Sequence, residues 1–430
     1  MEYINTHSKL TKSKKNVNGE VFTPVSLIND MLDKLPNEVW SNPDLKWLDP
    51  CAGIANFPYI IFERLNTGLK NIILDEEKRK AHILKKMIYM VELDLTNCEH
   101  IREVFKGYDI NLYEGSFFDY ECLVFDIITL NPPYQQKKEG NKQSKKIWHL
   151  IIYKCHKCLA EGGYLLPIHP CGWRDITGVV RGVFEYNNAR NLVYLNMNSY
   201  TEGKKYFNCY TNFDYYLLQN TLTNTNTTLI NDYDNLEYEI NLNEWDFIPN
   251  GYFNQIRKLL GCEKTDVVHD CNYHYQVIYD RCMYGYDSVR ILQDTNTFDI
   301  RRPYLSREMD EVYKLPVVYT ITKRGGIKCF YSNVDKGHFG IPKVIWTNGR
   351  GTYPIIDMEG KYGLTNFAYG IADEPYNLEN ISIALNNPNF RKIMSYCIFG
   401  KLDLFNYKII AILKRDFYKS FLYLEDIDRL

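Results

Sequence analysis

The stretch Asp126-Ile127-Ile128-Thr129-Leu130-Asn131-Pro132-Pro133-Tyr134 leaves the chain little conformational choice. The run from Phe125 to Leu130 reads as a buried strand, and it halts at an amide, two prolines and an aromatic ring. Successive prolines fix φ and remove two backbone donors, so a strand cannot continue through them. The Asn131 amide oxygen and the Pro132 carbonyl are left as acceptors that no neighbouring N–H neutralises. Such a pair is suited to holding an amino group. The plain alternative is a Pro-Pro turn that closes a strand.

What precedes this stretch is organised to serve it. Thr23 reads as an N-cap and Pro24 as the first residue of a helix with apolar Val25, Ile28, Met31 and Leu32 at helical spacing. Leu45 to Asp49 is a short strand that enters a turn of small residues, Pro50-Cys51-Ala52-Gly53-Ile54-Ala55, and then a helix through Phe57 and Ile60. A strand, a small-residue turn and a helix open a nucleotide-binding α/β unit, where backbone must approach a ligand closely. Met87 to Glu92 is a second buried strand ending in a carboxylate, a group able to accept both hydroxyls of a ribose. Leu112 to Phe118 supplies a third strand end, with Ser116 and Phe117 at its tip, and the fourth strand is Phe125 to Leu130. Special residues at the carboxyl ends of several strands are what an α/β sheet needs to build one crevice.

After Tyr134 comes a polar loop, Gln135 to Lys146, whose lysines include Lys145 and Lys146. A helix, a fifth strand around Tyr164 to Ile168, and a hairpin from Leu192–Leu195 and Phe213–Leu218 follow, with Phe207 in the intervening loop. The Thr/Asn-rich stretch Asn220 to Thr228 marks a domain boundary. Beyond it lie short aromatic strands and exposed basic loops carrying Arg301, Arg302, Lys323, Arg324, Asn348 and Arg350, then a helical tail from Asn380 to Lys414. A formal net charge of -2 argues against binding nucleic acid by bulk electrostatics and shifts that task to local patches and a cleft. Twelve cysteines without a charged-then-apolar leader suggest reduced thiols inside a cell. Cys155 and Cys158 have metal spacing but no second pair, so no metal is expected, and no apolar run reaches membrane-spanning length.

Taken in order, Phe22-Thr23-Pro24, Asp49 to Gly53 with Phe57, Glu92, and Asn131 to Tyr134 resemble the amino-group DNA methyltransferases of the gamma arrangement. The resemblance covers about the first half of the chain. It implies an α/β fold, a doubly wound Rossmann-like methyltransferase sheet, with a C-terminal mixed α+β target-recognition domain. The implied divisions are a basic N-terminal arm over 1–18, a catalytic domain over 19–222 and a DNA-binding domain over 229–430. The cofactor would be S-adenosyl-L-methionine. Phe22, Thr23, Asp49, Pro50, Cys51, Ala52, Gly53 and Phe57 would surround its methionine end, Glu92 its ribose, and Ser116 and Phe117 its adenine, with Asn131 on the border of both sites. Asn131, Pro132, Pro133 and Tyr134 would act on the target base, which Phe207, or alternatively Phe213, would sandwich against Tyr134. Two positions depart from the family pattern: Ala55 replaces a usual glycine, and Ser116 stands where an Asp often accepts from the adenine amino group.

The activity this implies is transfer of a methyl group to the N6 of a flipped adenine in duplex DNA, for restriction-modification or self-marking. The implied setting is the cytoplasm of a prokaryote or of a virus-infected cell, with duplex DNA and a cognate restriction endonuclease as partners and a monomeric or dimeric enzyme. Lys145, Lys146 and the six basic or amide residues of the second half would contact the duplex. RNA, cytosine N4 and a protein amide are alternative targets, and a catalytically inactive DNA-binding homologue is the reading from another class.

Overall fold

The computed structural model describes residues 22–121, 123–136, 145–176, 178–222, 227–260, 277–279, 304–322, 324–335, 339–347, 349, 353–365, 367–399, 405–414 and 416–422. The chain divides into two compact units, Met1–Trp245 and Asp246–Leu430.

The first unit is built on a 9-stranded mixed sheet in the order β3-β2-β1-β4-β5-β7-β6-β8-β9. Its strands are β1 (Trp47–Asp49), β2 (Ile88–Glu92), β3 (Asn111–Glu114), β4 (Phe125–Leu130), β5 (Leu159–Pro170), β6 (Arg190–Asn198), β7 (Phe213–Leu222), β8 (Thr227–Asn231) and β9 (Glu237–Asn241). The first five are parallel, with Trp47 opposite Ile88 on one side and Ile127 on the other. β7 runs antiparallel to both β5 and β6. Strand order reverses between β1 and β4, and at such a switch point the connections leave in opposite directions and open a crevice at the carboxyl ends. The expectation of a mixed α/β sheet is met in this arrangement.

The helices of this unit are α1 (Val25–Leu32), α2 (Asn56–Gly68), α3 (Glu76–His82), α4 (Leu95–Val104), α5 (Trp148–Cys158), α6 (Arg181–Asn188) and α7 (Tyr200–Phe207). Apolar residues of α1 and α2, among them Leu27, Ile28, Met31, Ile61 and Leu65, join Trp47, Ile88 and Ile127 of the strands in one core. β4 is buried along most of its length, as a central parallel strand must be. Cys155 is buried with a free thiol, whereas Cys158 is disulfide-bonded. No metal-ligating cluster occurs, and no helix is long and apolar enough to cross a membrane, among the described residues.

Three local expectations are corrected. Thr23 is not an N-cap: α1 begins at Val25 after an extended Pro24, and no side chain caps it. Phe207 lies in no loop but closes α7, which ends at Asn208 in the left-handed conformation. The Thr/Asn-rich stretch does not end the sheet, because β8 pairs with β6 and β9 with β8, and the division between units falls after Trp245. Low complexity misled here because Thr and Asn also serve strands: Thr228 is buried and its hydroxyl donates to the Leu192 carbonyl at 2.7 Å.

The second unit contains two 4-stranded sheets. One joins β10 (Val277–Tyr279), β17 (Ala368–Ala372), β14 (Lys343–Thr347) and β15 (Ile355–Asp357) in antiparallel pairs. The other joins β11 (Leu305–Ser306), β13 (Ile327–Ser332), β12 (Leu315–Ile321) and β16 (Gly363–Leu364). Val318, Ile321, Ile345, Leu364 and Ala368 form a shared core. The helical tail consists of α9 (Pro375–Asn386), α10 (Pro388–Ser395) and α11 (Tyr407–Ile410), following α8 (Phe253–Leu259) earlier in the unit. Asn387 caps α10 by accepting from Asn389 N at 2.8 Å, and Phe390 packs among Phe405, Phe417 and Phe421.

Candidate active site at the carboxyl ends of the parallel strands

The turn after β1 is held by the end of β2. Ala52 N donates to the Val91 carbonyl at 3.0 Å, and Gly53 N donates to Glu92 Oε2 at 2.7 Å. Glu92 Oε1 accepts from Asp94 N at 2.7 Å and Asn97 Nδ2 at 3.4 Å, so this carboxylate ties the turn to the start of α4. Gly53 has φ +54, and a Cβ there would sit 3.3 Å from the Phe22 ring, which explains a glycine at this point. Ala55 adopts φ 67 and ψ 29, the left-handed conformation in which glycine is usual. Its methyl is buried in the core, which offsets a backbone cost of roughly 1–2 kcal/mol.

Asp49 ends β1 with its side chain 3% exposed, and its Oδ1 accepts from Cys51 N at 3.1 Å. Burial, partly opposed by that hydrogen bond and reinforced by nearby Glu92, pushes its pKa from 3.8 up to about 8. The Cys51 thiol is likewise pushed up, by burial and then by Asp49. A carboxyl held this far from its ordinary state gains by meeting a cation. Phe57, in contrast, is 4% exposed and packs in the core, so its place is behind the turn.

The tip of β3 forms a second wall. Ser116 Oγ accepts from Phe118 N at 3.2 Å, and Phe117 is buried with its ring stacked on Tyr120 at 6.3 Å between centroids. Lys154 of α5 reaches this turn and donates to the carbonyls of Phe117, Phe118 and Tyr120 at 2.6, 3.0 and 2.6 Å. Nothing in the sequence spacing singled out Lys154, which lies 34 residues from its last partner.

At the end of β4, Asn131 Nδ2 donates to Thr23 Oγ1 at 3.1 Å, and the Thr23 carbonyl accepts from Asn56 Nδ2 at 3.2 Å. Thr23 therefore joins the Asn-Pro-Pro-Tyr turn to the helix that follows the Asp49 turn. Pro132 is buried, Pro133 exposed and Tyr134 half-buried. Burial, with the Cys209 thiol and Asp214 close by, pushes the Tyr134 phenol up. Cys209 lies two residues beyond Phe207, so the end of α7 and the Asn-Pro-Pro-Tyr turn border the same space. Phe207 is half-buried, whereas Phe213 is fully buried in the core and meets Phe207 edge-on at 5.0 Å. Of the two aromatic candidates, Phe207 has a face to offer.

The ground beneath is rigid. Asp214 pairs with Arg174 (Nε to Oδ2, 2.8 Å) with both side chains at 0% exposure, and Trp173 Nε1 donates to the same oxygen at 2.8 Å. Burial pushes the Asp214 carboxyl up, against the pull of Arg174. His169 stacks on Trp148 at 4.2 Å, and burial lowers its pKa to about 3, which keeps the imidazole neutral. A polar cavity of about 440 Å³ lies in the same unit, lined by Asp30, Asn198, Glu202, Lys205 and Tyr206 among others. None of the expected site residues lines it.

Of the expected duplex contacts, Lys145 and Lys146 are exposed beside the motif: Gln136 N donates to the Lys145 carbonyl at 2.9 Å, and Gln135 bridges to Lys146. Arg324 is exposed in the turn between β12 and β13 of the second unit. Arg301, Arg302, Lys323, Asn348 and Arg350 lie outside the described residues.

A segment of 79 residues is 52% identical to a protein of Mycoplasma pneumoniae named "Uncharacterized adenine-specific methylase"; it spans 18% of this chain and 19% of that protein. No protein-family model matches. Among solved structures, the DNA-bound Type IIL restriction-modification enzyme MmeI is similar over 88% of this chain and 64% of its own, at 9% identity and a TM-score of 0.48. The DNA-bound Type ISP restriction-modification enzyme LlaBIII is similar over 85% of this chain and 35% of its own, at 12% identity and a TM-score of 0.46.

Proposed function

We propose that the chain is an S-adenosylmethionine-dependent methyltransferase that modifies the N6 amino group of adenine in duplex DNA. The observation that carries this reading is the hydrogen bond from Asn131 Nδ2 to Thr23 Oγ1. With its NH₂ end committed to Thr23, the amide turns its oxygen the other way, at the carboxyl end of a strand adjacent to β1 and the Asp49 turn. The residues present suit the cofactor: a turn whose Gly53 has a left-handed φ and a Cβ position crowded by Phe22, a buried acid at the end of β1 and a second acid at the end of β2. Ala55 already adopts the backbone conformation of the glycine it replaces, so that departure does not disable the turn.

Bound there, S-adenosylmethionine would supply an electrophilic methyl on a sulfonium. Asp49 would face its cationic end, Glu92 its ribose, and Phe117 its adenine. An exocyclic amine is a weak nucleophile because its lone pair is delocalised into the ring. Accepting its two hydrogens at Asn131 Oδ1 and the Pro132 carbonyl localises that pair on nitrogen. Tyr134 and Phe207 would hold the ring between them, since most of the gain in such a transfer is orientation. The base must leave the helix at a cost of roughly a few kcal/mol, which contacts to the duplex from Lys145, Lys146 and the second unit would offset. The adenine-specific name of the relative sharing 79 residues favours adenine over cytosine. A cognate restriction endonuclease would be a partner in the cell.

The test is tritiated methyl transfer onto duplex DNA, RNA and protein by the full chain and by Asn131→Ala. The reading expects label in duplex DNA as N6-methyladenine, and its loss in Asn131→Ala with cofactor binding retained. Label in RNA or protein with bare duplex DNA would overturn the substrate, and an active Asn131→Ala the mechanism.

A further inference from the structure

We propose that Lys154 is a positioning residue for the purine end of the cofactor crevice, holding the Phe117–Tyr120 turn in place from α5. The inference rests on the methyltransferase reading above and extends it to a residue that touches no reacting atom. An ammonium has three donors, and three carbonyls of this one turn, those of Phe117, Phe118 and Tyr120, lie within 3.0 Å of it. The same ammonium stands 4.9 Å from the centroid of the Phe117 ring, a cation–π contact.

Three carbonyl dipoles converging on one point repel one another unless a cation neutralises them. Lys154 is thus what allows the turn to close with Phe117 tucked under it. Within the turn the remaining bonds are local: Phe118 N donates to Ser116 Oγ, Asp119 N and Tyr120 N donate to the Ser116 carbonyl, and Tyr120 N also donates to the Phe117 carbonyl. The hydrogen bonds of Lys154 go to backbone carbonyls, and Asp119 of the same turn adds a nearby opposite charge. The helix that supplies Lys154 begins one residue beyond Ile147, whose N–H donates to the Tyr134 carbonyl at 3.3 Å. The start of this helix therefore anchors the Asn-Pro-Pro-Tyr turn, and the same helix anchors the Phe117 turn about two turns later.

The test compares the wild-type chain with Lys154→Met, which keeps the stem and removes the charge, and Lys154→Arg, which restores charge and multiple donors. Isothermal titration with S-adenosylmethionine is the first readout. No binding by the wild type would sink the methyltransferase reading itself. Given wild-type binding, the proposal expects Lys154→Met to bind about tenfold more weakly, with Lys154→Arg recovering most of the loss. In steady-state methyl transfer the change should fall more in KM for the cofactor than in kcat. Equal affinity in wild type and Lys154→Met would overturn the proposal, as would a fall in kcat without a rise in KM. Should Lys154→Met fail to fold, the Lys154→Gln variant is titrated instead with the same two outcomes.

Discussion

Thr23 and Asn131 stand 108 residues apart in sequence and 3.1 Å apart in space, joined by a hydrogen bond from amide to hydroxyl. That bond anchors the amide by its NH₂ end. Thr23→Val keeps the shape and removes the acceptor, so the Asn131 amide loses this anchor. A neutral hydrogen bond is worth about 0.5–1.5 kcal/mol net, so methyl transfer should fall about tenfold, with Thr23→Ser restoring it. Single-turnover rates at saturating cofactor decide the matter; an unimpaired Thr23→Val would show that Asn131 is oriented by something else.

Asp49 should give the first unit an unusual pH dependence. Its folded pKa, about 8, lies above its ordinary 3.8, so its contribution to stability is complete below the ordinary value and is lost as pH rises towards 8. Asp49→Asn removes that loss. In scanning calorimetry the Tm of the variant should overtake that of the wild type by several degrees between pH 5 and pH 8.5, at roughly 2–4 °C per kcal/mol. A parallel pair of Tm profiles would contradict the shift.

The same carboxyl links cofactor binding to protons. A cationic ligand favours the ionised form, so binding below about pH 8 should release a proton, and affinity should climb by up to tenfold per pH unit. Titrations at pH 6.5 in buffers of different ionisation enthalpy measure the release directly. Heats that do not vary with the buffer would mean that Asp49 stays protonated in the complex.

Phe207 and Phe213 should separate function from stability. Phe213 is fully buried, and Phe213→Ala should cost about 3–5 kcal/mol in urea denaturation. Phe207 is half-buried, and Phe207→Ala should cost much less stability and more methyl transfer. If the two variants lose activity only in proportion to stability, neither ring holds a base.

The Arg174–Asp214 pair should behave as a single unit. Asp214→Ala strands the guanidinium and the Trp173 N–H in the interior, and about 3–5 kcal/mol of stability should go with it. Arg174→Met combined with Asp214→Leu should recover part of that loss, because neither charge is then left alone. Additive losses in this double-mutant cycle, read by urea denaturation, would refute the coupling.

The candidate residues stand out in the sequence because they fall where strands stop. Asp49, Glu92 and Asn131 each follow an apolar run, and parallel pairing brings such ends to one edge of a sheet. Side-chain partnerships across long separations left no trace. Thr23 carries the signature of a cap, and only the folded chain shows its hydroxyl turned to Asn131. Lys154 sits in a helix with no marker of its partners, and the packing of Phe57 in the core leaves no mark in its motif. The Thr/Asn-rich stretch Asn220 to Thr228 reads as a boundary because composition does not reveal that its last residues enter the sheet beside β6.

The ladder of Gln135 and Gln136 against Lys145 and Lys146 closes the chain upon itself directly after Tyr134. With Gln136 N joined to the Lys145 carbonyl at 2.9 Å and Ile147 N joined to the Tyr134 carbonyl at 3.3 Å, the Asn-Pro-Pro-Tyr turn is clasped from its far side, and Tyr134 can move only together with the start of α5.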